Sequence, residues 1–139
     1  MLKHFLFLAI TFSSFSACAD LAFYADNQTK KTINISVQTL IGSCPLSSGW
    51  MDFKPQTKLT SPFYKTSFGM CSAEFLRPSK WVLYVDDYND AQQNKEVNLG
   101  KNCVKAQVTI RDPGPKDKDG NPILDLECID TAVQKSIRR

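Results

Sequence analysis

The five cysteines and the single histidine of this chain are divided by a predicted cut near its N-terminus. If residues 1–19 are a signal peptide, Cys18 and His4 are lost with it. Four cysteines then remain: Cys44, Cys71, Cys103 and Cys128. Four cysteines can close as two disulfides, which persist in exported proteins because their compartments are oxidising. The sequence therefore predicts a small exported domain held by two disulfides.

The N-terminus carries the pattern of a cleaved signal peptide. Lys3 provides a positive charge, residues 5–12 are mostly apolar, and small residues follow up to Ala17-Cys18-Ala19. The apolar segment is shorter than the roughly 20 residues that cross a membrane. We therefore expect cleavage after Ala19, no transmembrane segment, and a protein that is secreted or periplasmic.

A lipid anchor at Cys18 is the alternative. Phe15-Ser16-Ala17-Cys18 loosely resembles the bacterial lipobox, in which the cysteine becomes the acylated first residue. Cleavage after Ala19 is favoured, because a signal that ends in small-x-small is the commoner arrangement. Both alternatives leave the same four cysteines.

Residues 20–139 have the length of one domain and an almost balanced charge. They contain 16 Lys and Arg and 14 Asp and Glu, without long charged blocks apart from a short basic tail, Lys135 with Arg138 and Arg139. Nucleic-acid binding needs clustered basic residues, so no nucleic-acid partner is expected.

The pattern of residues 20–139 indicates short strands. Thr32 to Ile41 alternates between apolar and polar residues, which predicts a strand with one buried face. Asp26 to Lys30 supplies turn residues for a hairpin before it. Further strands are predicted at 21–24, 50–53, 59–66, 72–76, 80–85, 96–99, 104–111 and 123–129. Pro62 should place its strand at an edge or break it, and the apolar 80–85 strand should be central. The predicted fold is all-β, a single antiparallel β-sandwich of about seven or eight strands.

Two disulfides, Cys44 with Cys71 and Cys103 with Cys128, are the favoured pairing among three possible ones. The second would join the strands of a terminal hairpin at about 103–129. If its two cysteines lie directly opposite each other, Val104 faces Glu127, so an apolar face meets a polar one. This pairing therefore requires a β-bulge near the cysteines, or Cys128 bridges elsewhere.

The absence of histidine after residue 19 limits the chemistry. Ser-His-Asp and Cys-His nucleophile systems need an imidazole, as do zinc sites built on histidine. The glycines form no phosphate-binding loop. Carboxylates remain, so a hydrolase that pairs Glu74 with Asp86, Asp87 or Asp90 is the enzymatic alternative. Catalysis is not the function that we favour.

Two loops carry candidate site residues. The loop from Asp112 to Asn121 partly resembles a calcium loop, and its candidate ligands are Asp112, Asp117, Asp119 and Asn121. A solvated hairpin loop without a cofactor is the favoured interpretation. The loop after the 80–85 strand offers candidate ligand-binding residues: Asp86, Asp87, Tyr88 and Asp90. An ordinary turn at the end of a strand is the favoured interpretation there.

Five aromatic residues could form a stacking surface for sugars: Trp50, Phe53, Phe63, Tyr64 and Tyr88. Aromatic residues of a sandwich usually belong to its core, so we expect these to be buried. An exposed aromatic patch would be the sign of a binding surface.

Two sequons, Asn27-Gln28-Thr29 and Asn34-Ile35-Ser36, would be N-glycosylation acceptors only in a eukaryotic secretory pathway.

The sequence favours a non-enzymatic exported module that binds a protein or a surface glycan through loops or a sheet edge. A secreted effector or inhibitor of another cell's protein is the alternative, with the hydrolase behind it.

Overall fold

The computed structural model describes residues 20–39, 46–66, 78–86, 92–113 and 120–132, and these contain β-strands but no helix. The strands are β1 (Ala22–Asn27), β2 (Ile33–Thr39), β3 (Met51–Phe53), β4 (Thr57–Lys58), β5 (Tyr64–Lys65), β6 (Lys80–Asp86), β7 (Gln92–Asn98), β8 (Cys103–Arg111) and β9 (Ile123–Thr131). The all-β class predicted from the sequence is thus confirmed for the described residues.

The described strands form two sheets. The five-stranded sheet has the order β4-β1-β8-β9, and β5 also pairs with β1. The four-stranded sheet has the order β3-β2-β6-β7. As predicted, the 80–85 strand is central, because β6 lies between β2 and β7.

The connection between β1 and β2 is not the predicted hairpin. The two strands belong to different sheets, and β1 instead pairs in parallel with β8, with Phe23 opposite Ala106. The expectation of purely antiparallel pairing is therefore wrong for this pair of strands. The predicted turn residues at 26–30 end β1 and begin a bend, which leads the chain from one sheet to the other.

Asn27 fixes this crossover. Its side chain is fully buried, and its Nδ2 lies 2.9 Å from the carbonyl oxygen of Lys31 and 3.0 Å from those of Phe53 and Lys54. Its Oδ1 accepts hydrogen bonds from the backbone N–H and the hydroxyl of Thr29, at 3.0 and 2.7 Å. Buried polar atoms need such partners, so one side chain ties the end of β1 to both neighbouring turns.

The two sheets share one hydrophobic core. The rings of Phe23 in β1 and Trp81 in β6 meet edge to face, with centroids 4.9 Å apart. Alternate residues of the long strands supply the rest: Ala25, Ile33, Ile35, Val37, Leu83, Val85, Ala106, Val108, Ile110 and Leu126. At one side of this core, Lys95 of β7 donates to the carbonyl of Leu124 in β9 at 3.2 Å.

The predicted 59–66 strand is broken at Pro62. β4, which ends just before the predicted strand, and β5, within it, pair with the same edge of β1 in registers that differ by three residues. Between them, the N–H groups of Leu59 and Phe63 still donate to the carbonyls of Ala25 and Phe23, at 2.9 and 2.8 Å. Proline lacks an N–H group, so it lies in the segment where the ladder is interrupted.

The β8–β9 pair contains the predicted disulfide and the predicted bulge. Cys103 is bonded to Cys128, with their Cα atoms 5.9 Å apart. Over most of the hairpin Val108 faces Leu126, so apolar faces meet. The register then shifts on either side of Lys105. The predicted bond between Cys44 and Cys71 lies outside the described residues.

Candidate ligand-binding surface

Trp50 and Tyr84 form an aromatic pair on the outer face of the four-stranded sheet. Ile35 and Val37 of β2 point into the core, so Ser36, between them, lies on the opposite face, where it is also buried, and Tyr84 of β6 lies beside it in the register. The ring centroids of Trp50 and Tyr84 are 6.4 Å apart, and the rings are inclined at 58°. Tyr84 is half-buried, whereas Trp50 is 47% exposed. The expectation that Trp50 belongs to the core is therefore wrong.

The segment before Trp50 holds this residue at the edge of the sheet. The Ser48 hydroxyl accepts from the N–H of Val37 at 3.0 Å, while the Ser48 N–H donates to the Val37 carbonyl at 2.9 Å. Gly49 follows with a φ of 71°, a conformation that residues with a side chain adopt at a cost. Two bonds to β2 and one glycine thus set the direction in which the chain presents Trp50.

Amide and charged side chains surround the aromatic pair. Asn34 of β2 donates to the Oδ1 of Asp52 at 2.6 Å, and Asn94 of β7 lies beside Tyr84 in the register. The other polar residues of β2, β6 and β7 on this face are Ser36, Gln38, Lys80, Asp86, Gln92, Glu96 and Asn98. Among the described strand residues of this face, Lys80 is the one basic side chain. The surface thus combines exposed aromatic area with amides and, on the described strands, with three acidic side chains and one basic side chain.

The other aromatic candidates belong to the core or adjoin it. Phe53 is buried, and its ring meets that of Phe63 edge to face at 5.2 Å. Tyr64 stacks on Phe23 at 5.8 Å, and burial raises the pKa of its phenol above the ordinary value. Phe53 belongs to the core, as expected. Phe63 and Tyr64 are half-buried and pack against the core, and Tyr88 lies outside the described residues.

The candidate loop after β6 is described only at its first residue. Asp86 ends β6 on the outer face, opposite Asn34 of β2 and Gln92 of β7. Asp87, Tyr88 and Asp90 lie outside the described residues. Asp86 thus borders the surface formed by Trp50 and Tyr84, which extends the candidate site onto the sheet itself.

A second concavity lies where the β1–β2 turn meets the ends of β8 and β9. It has a volume of about 400 Å³, and Lys30, Lys31, Asp112 and Pro122 are among the residues that line it. Asp112, an exposed calcium candidate, thus shares its surroundings with two lysines, which oppose cation binding there.

Of the three remaining calcium candidates, only Asn121 lies within the described residues. Asn121 is half-buried just before β9, whereas Asp117 and Asp119 lie outside the described residues. Across the described ranges, no three His, Cys, Asp or Glu side chains converge as metal ligands would. Calcium binding at this loop stays the untested alternative to a loop without a cofactor.

Glu74, the proposed partner of Asp86 in a hydrolase, also lies outside the described residues.

Within the described ranges, no helix has the length and apolar character needed to span a membrane.

Comparison with known proteins gives no relative: no protein-family model matches the chain, and no curated protein matches its sequence.

Tyr84 is the site residue that the sequence analysis missed. It lies in the strand that the apolar pattern identified, where Trp81, Leu83 and Val85 face the core and Val82, on the same face as Tyr84, is also buried. Its intervening position assigns it to the opposite face. Ser47-Ser48-Gly49, a typical turn sequence, was the available signal that Trp50 follows a turn.

Proposed function

We propose that this chain is an exported, non-enzymatic binding module with a β-sandwich fold, which contacts a protein or a surface glycan. The observation that carries this proposal is the exposure of Trp50, which packs beside Tyr84 at the β3 edge of the four-stranded sheet. Large exposed aromatic residues are enriched in binding surfaces because they bury much area with little loss of entropy.

The proposed compartment follows from the cysteines. The disulfide between Cys103 and Cys128 is of the kind that persists outside the reducing cytosol. A signal peptide at residues 1–19 and a second bond between Cys44 and Cys71 complete this proposal. The shared core of the two sheets, with Phe23 against Trp81, supports the sandwich arrangement.

Co-sedimentation with the cell envelope tests the binding function. Purified residues 20–139 are mixed with envelope fragments of the producing cells, and the protein that remains in solution is measured. We expect saturable binding that Trp50→Ala abolishes.

Ile129→Ala is the matched control, because Ile129 is 49% exposed, close to the 47% of Trp50, but belongs to the other sheet. It should bind like the unaltered protein. Binding that is absent, or equally strong in the Trp50 and Ile129 variants, would count against this surface as the binding site.

A further inference from the structure

We infer that the outer face of the four-stranded sheet binds a neutral oligosaccharide, with Trp50 and Tyr84 as its stacking groups. This inference rests on the proposed binding function and specifies its ligand. The surface that we mean, here called the Trp50 surface, consists of Trp50, Tyr84, Asn34, Gln38, Asn94 and Gln92.

The aromatic pair suits a sugar ring in shape. The two rings are inclined at 58° with centroids 6.4 Å apart, so they form a corner rather than a closed stack. A sugar has one face of C–H groups and a rim of hydroxyls. Its C–H face can pack on the exposed indole of Trp50, because the indole is large, flat and apolar. With the sugar packed on Trp50, the inclined ring of Tyr84 lies beside the same ligand.

The polar groups of the surface suit the hydroxyls. Asn34 and Gln38 lie on β2, and Asn94 and Gln92 lie on β7, on either side of Tyr84. Each amide side chain offers both a donor and an acceptor, as each sugar hydroxyl does. Neighbouring strands are about 4.8 Å apart, so groups from β2, β6 and β7 can reach successive parts of one chain of sugars.

The described strands of this face carry more acidic than basic side chains, which disfavours an anionic ligand. Asp52, Asp86 and Glu96 lie among the polar residues, with Lys80 as the basic counterpart on the described strands. Sulfated, phosphorylated or uronic acid chains would meet like charge on this face. Nothing comparable opposes an uncharged chain.

The ordered segment before Trp50 lowers the entropic cost of binding a ligand. The Ser48 bonds to Val37 and the positive φ of Gly49 hold the preceding segment before any ligand arrives. Groups that are already ordered lose less conformational entropy on association. The Trp50 surface therefore loses little conformational entropy on binding, which favours a weakly bound ligand such as a sugar.

Tryptophan fluorescence provides the test, since Trp50 and Trp81 are the two tryptophans of the chain and Trp81 is fully buried. The probes are hexasaccharides of glucose (cello), xylose, mannose and N-acetylglucosamine, with oligogalacturonate as the anionic comparison. We expect at least one neutral hexasaccharide to shift the emission and to protect Trp50 from acrylamide quenching.

Variants then assign the site, with affinities measured by calorimetry. Trp50→Ala should weaken binding by at least about tenfold, and Trp50→Phe should restore part of it because a ring remains. Asn94→Ala should weaken binding severalfold, whereas Ile129→Ala should leave it unchanged. Melting curves of all four variants check that each is folded.

Three outcomes would overturn the inference: no neutral hexasaccharide binds at millimolar concentration, the anionic chain binds more tightly, or binding survives Trp50→Ala. The proposed binding function is tested independently of the sugar inference, by the envelope experiment. If the envelope binds the protein through Trp50 but no hexasaccharide binds or competes, the binding function is supported and the oligosaccharide inference is overturned.

Discussion

Cys103 and Cys128 are joined by a disulfide although neither faces the other in the strand register. Cys103 lies opposite Thr131, and Cys128 lies opposite Ala106. In the described register, Val104 of β8 and Ile129 of β9 have no cross-strand partner, so each strand carries one extra residue. The two bulges reconcile the disulfide with apolar pairing, which a direct register does not allow.

This disulfide should make a large contribution to stability. Replacing both cysteines by serine opens a loop of 25 residues, and the chain-entropy estimate for such a loop is about 3 to 4 kcal/mol. Urea denaturation of the double variant should show that loss in the free energy of unfolding. A loss below about 1 kcal/mol would indicate that the bulged hairpin holds its register without the bond.

Asn27→Ala should destabilise the fold far more than Asn34→Ala. The first change removes the partner of three carbonyl oxygens and of two Thr29 donors, all at the crossover. A loss of about 3 kcal/mol or more is expected, because buried groups are left without partners. Asn34 is half-buried and donates to Asp52, so its loss should cost less than about 1 kcal/mol. Equal losses in urea denaturation would contradict this role of Asn27.

In a eukaryotic secretory host, folded protein should carry no glycan on Asn27. The side chain of this sequon is fully buried, and its Nδ2, the atom that a glycan would occupy, faces three carbonyls. Glycopeptide mapping of the monomeric fraction checks this prediction. A glycan at Asn27 in monomeric protein with a native melting curve would contradict the described crossover.

Gly49→Ala should reorient Trp50, whereas Gly100→Ala should not. Both glycines have positive φ, 71° and 82°, and an added Cβ would meet no atom within 4 Å at either position. Each substitution should therefore cost about 1 to 2 kcal/mol through backbone strain alone. Only the Gly49 variant should change acrylamide quenching of tryptophan. The same quenching in both variants would mean that Gly49 does not direct Trp50.

Periodicity was enough to predict the buried residues, but not the sheet partners. Ile33, Ile35 and Val37 are buried as the alternation of β2 predicts, and β6 is central as its apolar residues predict. The turn at 26–30 has the same composition whether it closes a hairpin or joins two sheets. The choice depends on Asn27 reaching the carbonyls of Phe53 and Lys54, which local sequence cannot reveal.

Periodicity predicts neither polar edge strands nor binding sites on the surface. β7 (Gln92–Asn98) begins four residues before the predicted strand at 96–99, because its polar residues show no apolar alternation. The candidate site needed the position of Trp50 relative to Tyr84, which are 34 positions apart in the sequence. Such contacts arise only once β3 and β6 have both paired with β2.

The proposed export would account for the disulfide between Cys103 and Cys128 and is part of the proposed function, and one intact-mass measurement tests it most directly. The protein is recovered from fractionated producing cells and weighed before and after reduction. The expected result is a chain of residues 20–139 in the periplasm or the medium, which gains two hydrogens for each of two bridges on reduction. A cytoplasmic chain that keeps residues 1–19 and has the same mass before and after reduction would contradict export.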